Sequence, residues 1–315
     1  MHRNARGSII VGALLIVAGV VALMVVKHRH QPTPHSTAIG APRVRPGAFP
    51  DASTTGVPAG TQLRKVPEQL TSGPGWKWNP YGWVQVGSTN VTINGLDING
   101  SIHSSFGGLT IQDSRIRCTG ENDWCVSIAS KTVVRDTEIG GQADGHTFGK
   151  ATGVLSAGSG AQNVLQGLNI HNTSDGLRLD GGTELIDSWV HDLSMGDIPD
   201  AHSDGVQSTG GANVSITGNR IESGNNCNVF VQWLSGQPEI SHYQVGRNLF
   251  VSQNRNNQQT SYGVCIYGNG VQGPITVQDN TFSRGWQVGA VTAPPEASLS
   301  GNKYTDGSAT AEVSK

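Results

Sequence analysis

An all-β solenoid, a parallel β-helix of about nine coils, is the fold this 315-residue sequence predicts. Three observations carry the prediction. The composition is rich in Gly, with 43 residues, but only 14% charged and 6% aromatic. Such a mix suits short strands of β-branched residues joined by tight Gly and Asn turns. A short element also recurs nine times, 18 to 32 residues apart: a small or polar residue, any residue, then a large apolar one. Finally, no apolar stripe of helical period separates the copies, so strand–helix–strand units are excluded.

The elements follow in order. Ile9 to Val26 is an unbroken apolar run of 18 residues, flanked by Arg3 and Arg6 before it and Lys27 and Arg29 after it. At about 1.5 Å per residue it just spans a bilayer. It reads as a membrane anchor within residues 1–30. The alternative is a cleaved signal segment, with Ser36-Thr37-Ala38 as a distant processing site. Residues 31–50 read as a linker held extended by Pro32, Pro34, Pro42, Pro46 and Pro50. The solenoid is expected over 51–315. Its four cysteines, Cys118, Cys125, Cys227 and Cys265, suggest disulfides in an oxidising compartment, with 118–125 and 227–265 as the pairs. Buried free thiols are the alternative.

The recurring element reads Leu96-Asp97-Ile98, Ser114-Arg115-Ile116, Thr137-Glu138-Ile139, Leu168-Asn169-Ile170 and Ser188-Trp189-Val190, then Asn219-Arg220-Ile221, Asn248-Leu249-Phe250, Asn280-Thr281-Phe282 and Asn302-Lys303-Tyr304. Each is a strand of period two that cannot bury its face alone, whereas stacked copies can. Asn219, Asn248, Asn280 and Asn302 would then form an asparagine ladder at a coil corner. A second repeat, Gly-apolar-x, follows at Gly153, Gly176, Gly205 and Gly263, with Asn228 in its place once. Each coil therefore has at least two strands. An antiparallel sandwich would need regularly spaced hairpin signals, which the sequence lacks.

With these coils, "FPDASTTGVPAGT" at Phe49 to Thr61 and "HSDGVQ" at His202 to Gln207, the chain resembles the right-handed parallel β-helix proteins of the pectate-lyase-like superfamily, especially secreted actinobacterial ones. The resemblance covers residues 48–310. It implies a surface active site of the kind found among polysaccharide lyases, glycoside hydrolases, epimerases and phage tailspikes.

Aligning the coils gathers a candidate site. Asp175 falls beside Asp204, and neighbouring coils lie about 4.8 Å apart. His171, His191 and Glu222 fall in one column, and Asn172 and Asp192 in the next. Arg178 and Gln207 share an outward position. The loop before Asp204 carries Asp197, Asp200 and His202 over the same region. If Asp175 and Asp204 both face out, one carboxyl has a raised pKa. A separation of about 5 Å would suit retaining glycoside hydrolysis and a wider one inversion. The other chemistry is β-elimination, with His171, His191, His202 or Arg178 as base. Asp175, Asp192 and Asp204 could then hold Ca²⁺ against a uronate carboxylate. Trp189, beside Arg220, offers a sugar-stacking platform. Trp233 and Trp286 could line the groove, while Trp76, Trp78 and Trp83 fit an N-terminal cap.

The expected function is thus a monomeric carbohydrate-active enzyme acting on polysaccharide outside the cytoplasm, anchored at the membrane or secreted. The alternative is a non-catalytic glycan-binding or adhesion protein using polar loops such as Asn254 to Gln259. A net charge of −2 offers no basic field for nucleic acid. A phage-type fibre would require a trimerising coiled coil, which is absent from the sequence. There is no Cys-x-x-Cys zinc spacing, nucleotide loop or nucleophile elbow. The Gly-rich stretches read as coil turns that need positive φ.

Overall fold

Each coil contributes one strand to each of three parallel sheets. The computed structural model describes residues 43–118, 124–141, 152–156, 161–195, 202–222, 224–310 and 312–314. Among these there is no helix. The first coil runs Thr92–Asn94, Leu96–Ile98, Ser101–His103. The last runs Ser298–Ser300, Lys303–Tyr304, Glu312–Ser314. The first strands of all coils form one sheet (C), the second strands another (A) and the third strands the last (B), with 9, 10 and 12 strands. Among the described residues nine coils stack in this way, as the repeat predicts, with three strands each where sequence reasoning resolved two. The strand it missed lies just before each small-or-polar residue.

The stacking register of sheet A is the expected one. Ile98, Ile116, Ile139, Ile170, Val190, Ile221, Phe250, Phe282 and Tyr304 form a single ladder. All but Tyr304 are fully buried, and each such side chain contributes on the order of 1.5–3 kcal/mol.

The corner between sheets C and A is closed by one left-handed residue in every coil: Gly95, Asp113, Asp136, Gly167, Asp187, Gly218, Arg247, Asp279 and Gly301. This conformation suits Gly and short Asp, which is why Gly or Asp precedes the repeat. Just past it, the asparagine ladder forms. Asn248 Oδ1 accepts the Asn219 backbone N–H at 2.9 Å, and Asn248 Nδ2 donates to Ile216 O at 2.8 Å. Asn280 and Asn302 repeat the pattern. In coils 2, 3 and 5 Ser114, Thr137 and Ser188 stand there, and in coils 1 and 4 Leu96 and Leu168; Ser188 Oγ donates to Ile186 O and accepts from Leu168 N.

At the N-terminal end, Ser72–Gly73, Trp76–Asn79 and Trp83–Val86 form antiparallel ribbons that join sheet B. Trp76 is buried in the core there, as a cap requires. Residues 43–61 lie against the solenoid: Gly56 N donates to Gly167 O, and Arg43 reaches Gly56 O and Asp136. Of the expected linker, Arg43 is therefore tied to the solenoid and Pro50 is buried, while residues 45–48 are exposed. Cys118–Cys125 and Cys227–Cys265 are disulfides, and no described cysteine is free. The apolar run 9–26 lies outside the described residues. Among the described ones no helix is long and apolar enough to cross a membrane.

Candidate functional site

The corner between sheets A and B is built differently, because loops of varied length join the strands there. In coil 4 it runs from His171 to Asp175, and in coil 5 from His191 to Val206. Asp197 and Asp200 lie outside the described residues.

Asp175 and Asp204 do meet. Asp175 Oδ1 accepts the Asp204 backbone N–H at 2.8 Å. Asp204 Oδ1 in turn accepts the Cys227 N–H at 3.0 Å and the Asn226 amide at 2.9 Å. Each carboxyl therefore caps the next coil. The expectation that both face out fails for Asp204, which is 0% exposed. Its other oxygen lies 3.5 Å from Gln207 Nε2 and 4.0 Å from His202 Nδ1. The His202 side chain is 69% exposed. Burial pushes the Asp204 carboxyl well above the usual carboxylate range, and the Asp175 charge adds to this; the Cys227 N–H and the Asn226 and Gln207 amides oppose it only in part. Burial also raises Asp175, against the Asp204 N–H and the charges of His202 and Arg178.

The glycine after each Asp is required by space. A Cβ on Gly176 would meet Gly205 O at 2.3 Å and Val190 Cγ1 at 2.5 Å; one on Gly205 would meet Ile221 Cγ2 at 2.4 Å and Asn228 O at 2.5 Å. Neither is left-handed, so the expected need for positive φ is corrected here to a need for close approach.

Arg178 and Gln207 are partners on sheet B, as expected. Arg178 Nε holds Asp180 at 2.7 Å and Nη2 holds Thr209 at 2.6 Å. Asp175, Asp204, His202, Arg178 and Gln207 thus form one group.

The remaining candidates lie on sheet A or, for Asp192, one residue past its strand, and among the described residues no hydrogen bond or ion pair joins them to that group. His171 pairs with His191 in register. His171 Nε2 lies 3.6 Å from Glu138, and its Nδ1 meets Asn172 at 2.6 Å. Burial alone would lower His171, but these partners hold it above its ordinary value. Burial likewise pulls Glu138 up, yet His171 and Arg115 hold it below the usual range. His191 bonds Asp192 at 2.7 Å and Asn169 at 2.8 Å. Its ring lies 3.6 Å from that of Trp189. Trp189 Nε1 donates to Glu222 at 2.9 Å, and the Arg220 guanidinium sits 5.3 Å from its ring. Arg220 Nε pairs with Glu222 at 2.6 Å. One face of Trp189 is therefore covered by His191, so the bare sugar platform is corrected to an internally bonded column. His171 and His191 are engaged in the same way.

Asp192 is also committed: its hydrogen bond to His191 holds its carboxyl below the usual range. Among the described residues no three His, Cys, Asp or Glu side chains are grouped to hold a metal ion. The proposed Ca²⁺ set of Asp175, Asp192 and Asp204 is corrected accordingly. Trp233 and Trp286 donate to Gln237 O and Ser283 O close to them in sequence and pack on the core, so they serve packing.

Sequence reasoning missed one feature of this corner. Asn254–Arg255 and Gln258–Gln259 form a hairpin turned by Asn256 and Asn257, both at positive φ. From coil 7 it reaches back to coil 5: Arg255 Nη2 donates to Leu193 O at 2.6 Å and Asn256 Nδ2 to Met195 O at 2.9 Å. The Asn-Asn pair between polar residues was the available signal.

No protein-family model matches the chain, and no curated protein matches it in sequence. Among solved structures it is similar to the Streptococcus pneumoniae surface protein and adhesin PfbA, at 11% identity and a TM-score of 0.35, over 76% of this chain and 80% of that one. A likeness so distant says nothing about what this chain does. The parallel β-helix rests on its own sheets.

Proposed function

We propose that this is an extracytoplasmic carbohydrate-active protein that cleaves a uronate-containing polysaccharide by β-elimination at the corner of coils 4 and 5. The two disulfides favour the oxidising compartment. One observation carries the chemistry. Asp175 and Asp204 are placed where burial raises both carboxyls, although an asparagine would cap the same N–H groups without that cost. A perturbed acid pair beside an exposed imidazole points to proton transfer. Hydrolysis by two surface carboxylates is disfavoured, because Asp204 is buried.

The remaining groups match the three needs of elimination. His202, the most open, removes the proton on the carbon bearing the carboxylate. Arg178, whose Nη1 has no partner among the described residues, neutralises that carboxylate. Asp175, held protonated more readily than an ordinary Asp, delivers a proton to the departing glycosidic oxygen as the carbon–oxygen bond breaks and the carbon–carbon double bond forms. Asp204 lies behind His202.

A panel of acidic and neutral polysaccharides tests this. Ultraviolet-absorbing unsaturated products are expected from the acidic members alone. His202→Ala should abolish them with the melting temperature unchanged, since that side chain is exposed. Binding without any product would leave the second reading, a non-catalytic glycan-binding protein. That reading is favoured by the capping bonds that already occupy both carboxyls.

A further inference from the structure

Three hydroxyls at the corner of sheets A and B are buried without a protein partner among the described residues: Thr173 Oγ1, Ser194 Oγ and Ser203 Oγ. Their residues are 0%, 1% and 1% exposed. A hydroxyl left in this way destabilises the fold, because it gives up its bonds to water and gains none. Other hydroxyls of this fold avoid that cost: Ser114, Thr137 and Ser188 each donate to the carbonyl two residues back, at 2.7, 2.7 and 2.9 Å.

Thr173 and Ser194 occupy successive rungs, since Ser194 N donates to Thr173 O at 2.9 Å. Like atoms on successive rungs are about 4.8 Å apart. That is too far for a direct hydrogen bond of about 2.8 Å, and it is the span that one molecule bonded to both would bridge. An asparagine crosses the same gap with its own amide, as Asn219, Asn248 and Asn280 do; a hydroxyl is too short. On the third rung stands Gly224, where a Cβ would lie 2.2 Å from Ser194 O, 2.4 Å from Ser203 Cβ and 3.1 Å from Ser203 Oγ. Ser203 thus leans into the column where coil 6 has no side chain.

We infer that Thr173, Ser194 and Ser203 bind a buried row of ordered water that performs, at the corner of sheets A and B, the bridging role of the asparagine ladder. Such waters make about three hydrogen bonds each to otherwise unsatisfied groups and are costly to remove. The inference does not depend on the reaction proposed above.

Thr173→Val and Ser194→Ala, singly and together in the full chain, test it by thermal unfolding, alongside a crystal structure of the unmodified protein. Valine has the shape of threonine without the hydroxyl. If Thr173 Oγ1 binds water, Thr173→Val lowers the melting temperature by about 2–4 °C. The double variant then loses less than the two single losses combined, because one shared bridge is lost only once. The crystal structure should show a density peak within hydrogen-bond distance of both oxygens. An unchanged or raised melting temperature in Thr173→Val overturns the inference, and so does a protein group found bonded to these hydroxyls.

Discussion

The two corners that flank sheet A solve one problem in opposite ways. Both must satisfy backbone N–H groups that the stacking leaves at the edge of a strand. The corner with sheet C uses neutral amides. Each asparagine accepts from one rung and donates to another, so the ladder closes on itself with no charge. The corner with sheet B uses carboxylates in coils 4 and 5. These only accept, so the same capping geometry brings two negative groups together in a buried place. A neutral ladder serves the fold alone. A charged one costs stability, and that cost is the physical reason to look for chemistry at the second corner.

The comparison can be broken most forcefully at Asn248. Asn248→Ala leaves the Asn219 N–H and the Ile216 carbonyl unpaired in the core and takes one of its two donors from the Asn280 amide oxygen. At about 1–3 kcal/mol per orphaned group, a loss of about 3–5 kcal/mol is expected in urea unfolding. Ser188→Ala, on an earlier rung of the same ladder, should cost about 1 kcal/mol. Equal losses at the two sites would show that the amides add nothing to a hydroxyl.

The glycines sharpen the contrast, at a smaller effect. At the corner with sheet C they answer a backbone need. Gly167 is left-handed, and its nearest neighbour to an added Cβ is Asp136 Oδ1 at 3.1 Å. Asparagine tolerates that conformation, so Gly167→Asn should cost under about 1 kcal/mol. Gly205→Ala must push against the Asn228 carbonyl and Ile221, and about 2–3 kcal/mol is expected from overpacking. Chemical denaturation of the two variants measures the difference directly, and a cheap Gly205→Ala would refute the steric account of the Asp-Gly repeat.

Much of this was legible in the sequence. The apolar ladder, the asparagine ladder and the meeting of Asp175 with Asp204 follow from a period that places like residues over one another, and the disulfides from the closeness of Cys118 and Cys125 in sequence, which leaves Cys227 and Cys265 as the second pair. What stayed hidden has physical reasons. Strands such as Val133–Arg135 carry one inward residue, here Val134, and merge with the turn that follows them, so their sheet left no separate signal. The side chain before a strand's first glycine can point either way, and Asp204 turns in because the Cys227 N–H lies within its reach. The alignment set His171, His191 and Glu222 in one column, but what each side chain meets depends on partners such as Glu138 and Asn169, which no spacing reveals.

The subtlest change tests the carboxylate ladder itself. Asp204→Asn keeps an Oδ1 to accept the Cys227 N–H and removes the charge, converting this rung into the kind used at the other corner. The direction follows from the raised folded pKa. The native state holds the Asp204 proton to a higher pH than the unfolded chain does, so ionisation costs the folded protein stability as pH rises from the unfolded value toward the folded one. Below the unfolded pKa both proteins are neutral at this site, and the capping bonds make them equally stable. Above it the wild type falls behind by about 1.4 kcal/mol for each pH unit until the folded pKa is reached, while the variant does not. Urea titrations from pH 3 to pH 8 should therefore show two curves that coincide in acid and diverge toward neutrality, with Asp204→Asn the more stable. Parallel curves would mean that Asp204 is an ordinary ionised cap. The acid pair would then lose its claim to proton transfer, and the two corners would differ only in the atoms they use.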